Sequence, residues 1–113
     1  MTAYLDVLGE IQENTALFDL LEALRPDYHI ALASTASRRS MEVVLERFGK
    51  NDAFDLIIAQ EDVPHKKPAP DCFVMAMEHF GVRPEDTIIF EDSQTGITAA
   101  KASGASYLVV PRF

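Results

Sequence analysis

The chain has 113 residues, of which 48% are hydrophobic, so it forms one globular domain at most. Ten Lys and Arg residues stand against eighteen Asp and Glu residues, and this balance excludes the basic stripe that a nucleic-acid groove requires. No apolar run approaches the roughly 18 residues that a membrane span needs. Because acids stand near Met1 where a signal peptide is basic, and because Cys72 is the single cysteine, we expect a cytoplasmic protein.

Helical spacing of apolar residues appears in four segments before a final small-residue helix. The first lies within residues 1–13, where Tyr4, Val7, Leu8 and Ile11 would share one face; the others are 17–24, 41–48 and 73–80. Asn14 or Thr15 can cap the second helix and Ser37 the third. Gly49, Gly81 and Gly104 stand where helices usually end.

Between the helices lie four short, nearly continuous apolar runs: 29–33 (HIALA), 54–59 (FDLIIA), 87–90 (TIIF) and 107–110 (YLVV). They lack the alternation of a strand with one face in water, so helices should cover both faces. The order predicts an α/β fold: a Rossmann-like parallel sheet with helices on both faces. In such sheets, ligands bind beyond the carboxyl ends of the strands.

The residues after these runs form a chemically coherent set. Ser34 and Thr35 follow the first run, Lys67 stands in the loop after the second, and Glu91 and Asp92 follow the third. Hydroxyls near a helix N-terminus hold phosphate oxygens, lysine balances phosphate charge, and adjacent carboxylates are hard ligands for Mg²⁺. Such parts suit phosphoryl transfer. Arg38, in the next helix's first turn, could reach an anion, but we favour a solvent-facing role.

Two motifs have local physics that supports these roles. Pro68 and Pro70 make the loop before residue 71 a rigid extended turn that aims Lys67. After the acidic pair, Asp92 or Ser93 can cap the last helix, and Gly96 allows a close backbone approach.

At these residues the sequence resembles the haloacid dehalogenase-like (HAD) hydrolases, in particular phosphatases and phosphomutases similar to beta-phosphoglucomutase and phosphoglycolate phosphatase. The strand ending in Ser34 resembles the family's second motif, KPAPD at 67–71 the third, and EDSQTGITAAKASG at 91–104 the fourth. The resemblance covers about residues 14–113. It implies that Ser34 binds the transferring phosphoryl group, that Lys67 pairs with phosphate and nucleophile, and that Glu91 and Asp92 hold Mg²⁺. Thr35 is a candidate for a second phosphate contact, although we favour a solvent-facing role for it, as for Arg38.

The family's nucleophile motif, DxDx[TV], is absent, because the sequence contains no DxD. Asp6, Asp19 and Asp27 follow no strand-like run, so we expect none to substitute. In the family, the strand with this motif lies between those of motifs two and four, and a helical cap follows it. We therefore interpret residues 1–13 as a helical remnant of a cap or linker, and 14–113 as an incomplete HAD-type core.

Three explanations of the missing part stay open: a fragment or misassigned start, a naturally degenerate non-catalytic protein, or one half of a split enzyme completed by another chain. A missing central strand would leave two unpaired backbone edges, so we expect a homodimer or a complementing chain. The expected substrate is a small phosphorylated metabolite, and we expect no hydrolysis by this chain alone. The alternative function is a non-catalytic, self-associating interaction protein. A response-regulator receiver is rejected, because its acids would follow the first strand.

Overall fold

The computed structural model describes residues 2–5, 15–47, 49 and 52–109. Within this part, the strands form one parallel sheet: β1 (Thr2–Leu5), β2 (His29–Ala33), β3 (Leu56–Ile58), β4 (Thr87–Glu91) and β5 (Ser106–Val109). Their spatial order is β3-β2-β1-β4-β5, and every pairing is parallel. The α/β fold with a Rossmann-like parallel sheet is therefore confirmed.

Four helices connect the strands: α1 (Thr15–Leu24), α2 (Arg38–Arg47), α3 (Asp71–Phe80) and α4 (Gln94–Ser103). Short 3-10 helices occupy Gln60–Asp62 and Pro84–Asp86. Ser37 Oγ accepts the Ser40 amide at the start of α2, as predicted for an N-cap. None of the helices in the described ranges is long and apolar enough to cross a bilayer.

Strand β2 shows why its sequence lacks alternation, since both of its faces are buried. Ile30 and Leu32 pack with α1 and α2 in one cluster, whereas Ala31 and Ala33 face α3 and α4 in the other. The small side chains on this second face let Phe73, which is fully buried, pack against the sheet. The sheet thus has helices on both faces, and a hydrophobic cluster lies on each face.

The predicted helix over residues 1–13 is wrong for its first part, because Thr2–Leu5 is the central strand of the sheet. Leu5 pairs with Leu32 on one side and with Phe90 on the other. The physical reason is that β2 and β4 each need a backbone partner on their inner edge, and one short segment satisfies both. Residues 6–14 of the predicted helix lie outside the described residues.

This strand changes two expectations drawn from the sequence. The sheet has not lost its middle, so unpaired inner edges no longer argue for self-association; the homodimer or complementing chain stays a prediction. The statement that Asp6 follows no strand is also wrong, because Asp6 directly follows Leu5 in the sequence. Asp6 itself lies outside the described residues.

Strand β1 can be tested through its backbone hydrogen bonds. We expect Ala3→Pro to lower the free energy of unfolding by about 1–3 kcal/mol more than Ala3→Ser, because proline removes an amide donor from a central strand. Urea denaturation of both variants measures the difference. Equal midpoints for the proline and serine variants would contradict a central position for residues 2–5.

Candidate phosphoryl-transfer site

Lys67 connects the carboxyl ends of two strands. Its Nζ donates to the carbonyl oxygen of Ala33, at the end of β2, over 3.2 Å and lies 3.5 Å from Oε2 of Glu91, at the end of β4. The ring centroid of Phe73 is 5.2 Å from the same nitrogen. With side chains 2% and 0% exposed, Lys67 and Glu91 form a buried ion pair. Lys67 therefore lies where the carboxyl ends of β2 and β4 meet.

Burial changes the pKa of Lys67. Loss of hydration lowers the pKa of Lys67 from its ordinary value, and the neighbouring Glu91 carboxylate opposes that shift. Burial raises the pKa of the Cys72 thiol, against the opposing charge of Lys67. Cys72, at the start of α3, is thus a small buried core residue.

Glu91 is bound mainly to its own chain segment. Its Oε1 accepts three hydrogen bonds, from the amides of Asp92 and Ser93 at 3.0 and 3.1 Å and from Ser93 Oγ at 3.0 Å. Within the described residues, Oε2 accepts no hydrogen bond and faces Lys67. The carboxylate therefore fixes the turn between β4 and α4 and carries the charge that balances Lys67.

Gly96 leaves the space that the Glu91 carboxylate occupies. A Cβ atom built on Gly96 would lie 1.9 Å from Cδ of Glu91, well inside any permitted contact. Ser93 Oγ accepts the Gly96 amide at 3.1 Å, so the predicted N-cap of α4 is Ser93. The close approach expected at Gly96 is therefore confirmed, and the approaching group is a carboxylate.

The loop after β2 holds Ser34 in a tight turn. The Ser34 amide donates to the Ile58 carbonyl at 3.0 Å, and Ser34 Oγ accepts the Ala36 amide at 3.0 Å. Ser34 is buried, and Thr35 beside it is half-buried. Since Lys67 binds the carbonyl of the preceding Ala33, Ser34 lies one residue from the lysine's anchor. Phosphate contacts by Ser34 and Thr35 stay predictions.

The acidic pair offers Mg²⁺ the hard oxygen ligands that it prefers, but its two members differ. Asp92 is half-buried at the end of β4, and its carboxylate chemistry fits a metal ligand. Glu91 has Oε1 engaged in three hydrogen bonds and Oε2 beside a lysine. No group of three or more His, Cys, Asp or Glu side chains is placed to share an ion among the described residues. Mg²⁺ binding by Glu91 and Asp92 therefore stays a prediction.

Sequence reasoning missed one cluster beside this site. Arg38 does not face only solvent: its guanidinium donates to the Ile57 carbonyl at 2.9 Å and pairs with the carboxylate of Asp62. The Arg38 amide donates to Glu61 Oε1 at 2.9 Å. The acidic pair Glu61-Asp62, placed just after a predicted strand, was the available signal.

The buried ion pair predicts a large difference between adjacent lysines. Lys67→Met leaves the Glu91 carboxylate buried without its counter-charge, so we expect the free energy of unfolding to fall by about 3–5 kcal/mol. The control Lys66→Met changes an exposed neighbour, and we expect an effect within about 0.5 kcal/mol. Urea denaturation measures both, and similar losses for the two variants would contradict the buried pair.

At Gly96 we expect Gly→Ala to have the opposite effect on stability from the one it usually has inside a helix. Gly→Ala inside a helix ordinarily stabilises by up to about 1 kcal/mol. We expect Gly96→Ala to destabilise instead by about 1–3 kcal/mol, because the new methyl group overlaps the Glu91 carboxylate. Thr98→Ala, at an exposed position of α4, is the control.

A double-mutant cycle isolates the contact between the two side chains. The Glu91→Ala variant lacks the carboxylate that would overlap a side chain at residue 96. In that background, Gly96→Ala should therefore lower the free energy of unfolding by less than it does in the wild-type chain. The same cost in both backgrounds would show that the carboxylate is not what excludes a side chain at residue 96.

Comparison with known proteins identifies the family of this chain. Residues 4–110 match the sequence profile of the family described as haloacid dehalogenase-like hydrolase. The chain is 33% identical over 92 residues to fructose-1-phosphate phosphatase YqaB of Escherichia coli, which covers 81% of this chain and 49% of the relative. It is 37% identical over 109 residues to protein CbbY of Cereibacter sphaeroides, covering 93% of this chain and 47% of the relative. The chain thus spans less than half the length of these relatives.

The fold is also shared with a solved member of the group. The crystal structure of CbbY from Rhodobacter sphaeroides in complex with phosphate superposes with a TM-score of 0.76 at 37% identity, over 84% of this chain and 44% of that one. The crystal structure of a putative beta-phosphoglucomutase from Thermotoga maritima superposes with a TM-score of 0.78 at 30% identity, over 86% of this chain and 46% of that one. The chain belongs to the haloacid dehalogenase-like hydrolases, in the group of beta-phosphoglucomutase and phosphoglycolate phosphatase.

Proposed function

We propose that this chain is the core of a Mg²⁺-dependent cytoplasmic phosphatase or phosphomutase that acts on a small phosphorylated metabolite. The observation that carries the proposal is the position of Lys67, whose Nζ lies 3.2 Å from the end of β2 and 3.5 Å from the carboxylate that ends β4. A fixed ammonium at this edge of a parallel sheet suits the charge that develops in phosphoryl transfer.

Each predicted site residue has a role that its chemistry supports. Ser34, and Thr35 beside it, would donate hydroxyl hydrogen bonds to phosphate oxygens at the start of α2. Lys67 would balance the charge of the phosphate and of an attacking carboxylate. Because its ammonium is already held by Ala33 and Glu91, it needs no reorganisation when substrate binds.

For the metal, Asp92 would supply the direct carboxylate ligand, with Glu91 as the predicted second acid. When bound, Mg²⁺ would neutralise charge on the phosphoryl oxygens. The residues of this chain would orient it: the turn fixed by Glu91 and Ser93 positions the Asp92 backbone.

The substrate class comes from the relatives. One is called a fructose-1-phosphate phosphatase, and another, from Thermotoga maritima, a phosphorylated carbohydrates phosphatase. We therefore propose a sugar phosphate. Since the sequence has no DxD, we propose that this chain alone does not turn over substrate.

A second function is favoured by one observation, the apolar edge strand. Leu108 and Val109 of β5 are 54% and 63% exposed, and β5 pairs with β4 alone among the described strands. An exposed apolar edge is a template for strand pairing between copies. A non-catalytic, self-associating protein would use this edge, and light scattering across a concentration series would show the association.

Phosphate binding tests the leading proposal on the chain as it exists. We expect inorganic phosphate with Mg²⁺ to perturb amide NMR signals near Ser34 and Lys67. Ser34→Ala should weaken this binding about tenfold or more, because it removes a hydrogen bond to a charged ligand. Asp92→Asn should remove the dependence on Mg²⁺, while Lys66→Met should have no effect.

Turnover of fructose 1-phosphate by the purified chain is the second measurement, and we expect none. Hydrolysis that disappears in Asp92→Asn would contradict inactivity while supporting the phosphatase chemistry, and Asp6→Asn would then test the carboxylate that follows β1. Failure of phosphate to perturb any signal near the site, together with self-association, would overturn the proposal in favour of the interaction protein.

A further inference from the structure

Two backbone hydrogen bonds join the loop that carries Ser34 to the end of β3 and the segment after it. The Ser34 amide donates to the Ile58 carbonyl, and the Gln60 amide donates to the Ala36 carbonyl, both at 3.0 Å. These bonds continue the β2–β3 pairing beyond the end of the strands. The loop is therefore held against the 3-10 helix Gln60–Asp62, which leads towards Lys67.

Arg38 joins the same two segments through its side chain and its backbone. Its guanidinium donates to the Ile57 carbonyl at 2.9 Å and pairs with Asp62, whose Oδ2 also accepts the Ala59 amide at 2.8 Å. Its amide donates to Glu61 Oε1 at 2.9 Å. One residue thus contacts three positions across the junction.

The contacts of Arg38 fix the position of the loop but add little to the free energy of unfolding. The side chains of Arg38 and Asp62 are 40% and 31% exposed, and ion pairs with that much solvent contribute little to overall stability. Glu61 places a carboxylate at the first turn of α2, where the helix dipole favours negative charge. The cluster therefore restrains the loop's position without being a main source of fold stability.

We propose that Arg38 is a positioning residue for phosphate: it holds the Ser34–Ser37 loop against the 57–62 segment through Asp62, Glu61 and the Ile57 carbonyl. This inference rests on the proposed function, because the loop is the predicted phosphate contact. Arg38 does not itself bind the phosphate, since its guanidinium is committed to Asp62 and Ile57. Its removal loosens the loop and weakens the binding of an anion that Arg38 never touches.

The experiment compares Arg38→Met with Arg39→Met, an adjacent, exposed arginine of the same helix. Hydrogen exchange of the Arg38, Ala59 and Gln60 amides reports loop opening. We expect exchange about tenfold faster in Arg38→Met, because a hydrogen-bonded anchor is lost, with the urea midpoint close to that of the wild type. Arg39→Met should exchange as the wild type does.

The second readout is binding of inorganic phosphate in the presence of Mg²⁺, followed by NMR. We expect about tenfold weaker binding in Arg38→Met and unchanged binding in Arg39→Met, because loss of position costs affinity without loss of a ligand. Thr35→Val, at the other predicted phosphate contact, should weaken phosphate binding while leaving exchange at Gln60 unchanged. That difference separates a ligand of phosphate from a residue that positions the ligand.

The outcomes separate this inference from the proposed function. If Arg38→Met and Arg39→Met exchange alike and bind phosphate alike, the positioning role is wrong even when phosphate binds the wild type. If exchange rises in Arg38→Met but phosphate affinity does not fall, the cluster is only structural and the inference is overturned. If the wild type binds no phosphate, the proposed function fails, and the inference about phosphate fails with it, whatever the exchange rates show.

Discussion

The buried ion pair between Lys67 and Glu91 is the constraint on which the carboxyl end of this sheet depends. Removing two charges from water is costly, and the cost is recovered only when each charge has well-placed partners. Lys67 finds them in Glu91, the Ala33 carbonyl and the ring of Phe73. Segments far apart in sequence must therefore meet at one point, and that point is where the family's chemistry is expected.

The same pair explains why the surrounding loops have little freedom. Glu91 is oriented by the Asp92 and Ser93 amides, and its carboxylate fills the space beside Gly96. On the other side, the Ser34 loop is bound to the segment after β3. An anion entering this edge would meet donors that are already in place, which is how preorganised sites stabilise charge.

The sequence predicted most closely the strand that is buried on both faces. The run HIALA matches β2 residue for residue, because a strand covered on both faces has a continuous apolar pattern. The run at 54–59 was too long, since β3 spans only Leu56–Ile58. Asp55 uses its side chain to accept the Ile30 amide, and Ala59 begins the turn into a 3-10 helix.

The sequence could not show which tertiary partner a segment or side chain would bind. Tyr4, Val7, Leu8 and Ile11 have helical spacing, yet residues 2–5 pair as a strand because β2 and β4 leave room for one. Likewise, two adjacent acids indicate a metal site, but composition cannot show that Glu91 has one oxygen committed to three donors. The small residue at Gly96 was recognisable, whereas the group that approaches it was visible only in three dimensions.

The central position of β1 also governs the order in which this chain can fold. Thr2 pairs with His29 on one side and with Thr87 on the other, so the first strand in the sequence has one near partner and one very distant partner. Contacts between distant residues require chain closure before they yield any free energy, and parallel pairings of this kind slow folding. During synthesis, β1 can therefore complete both of its pairings only after β4 has been made.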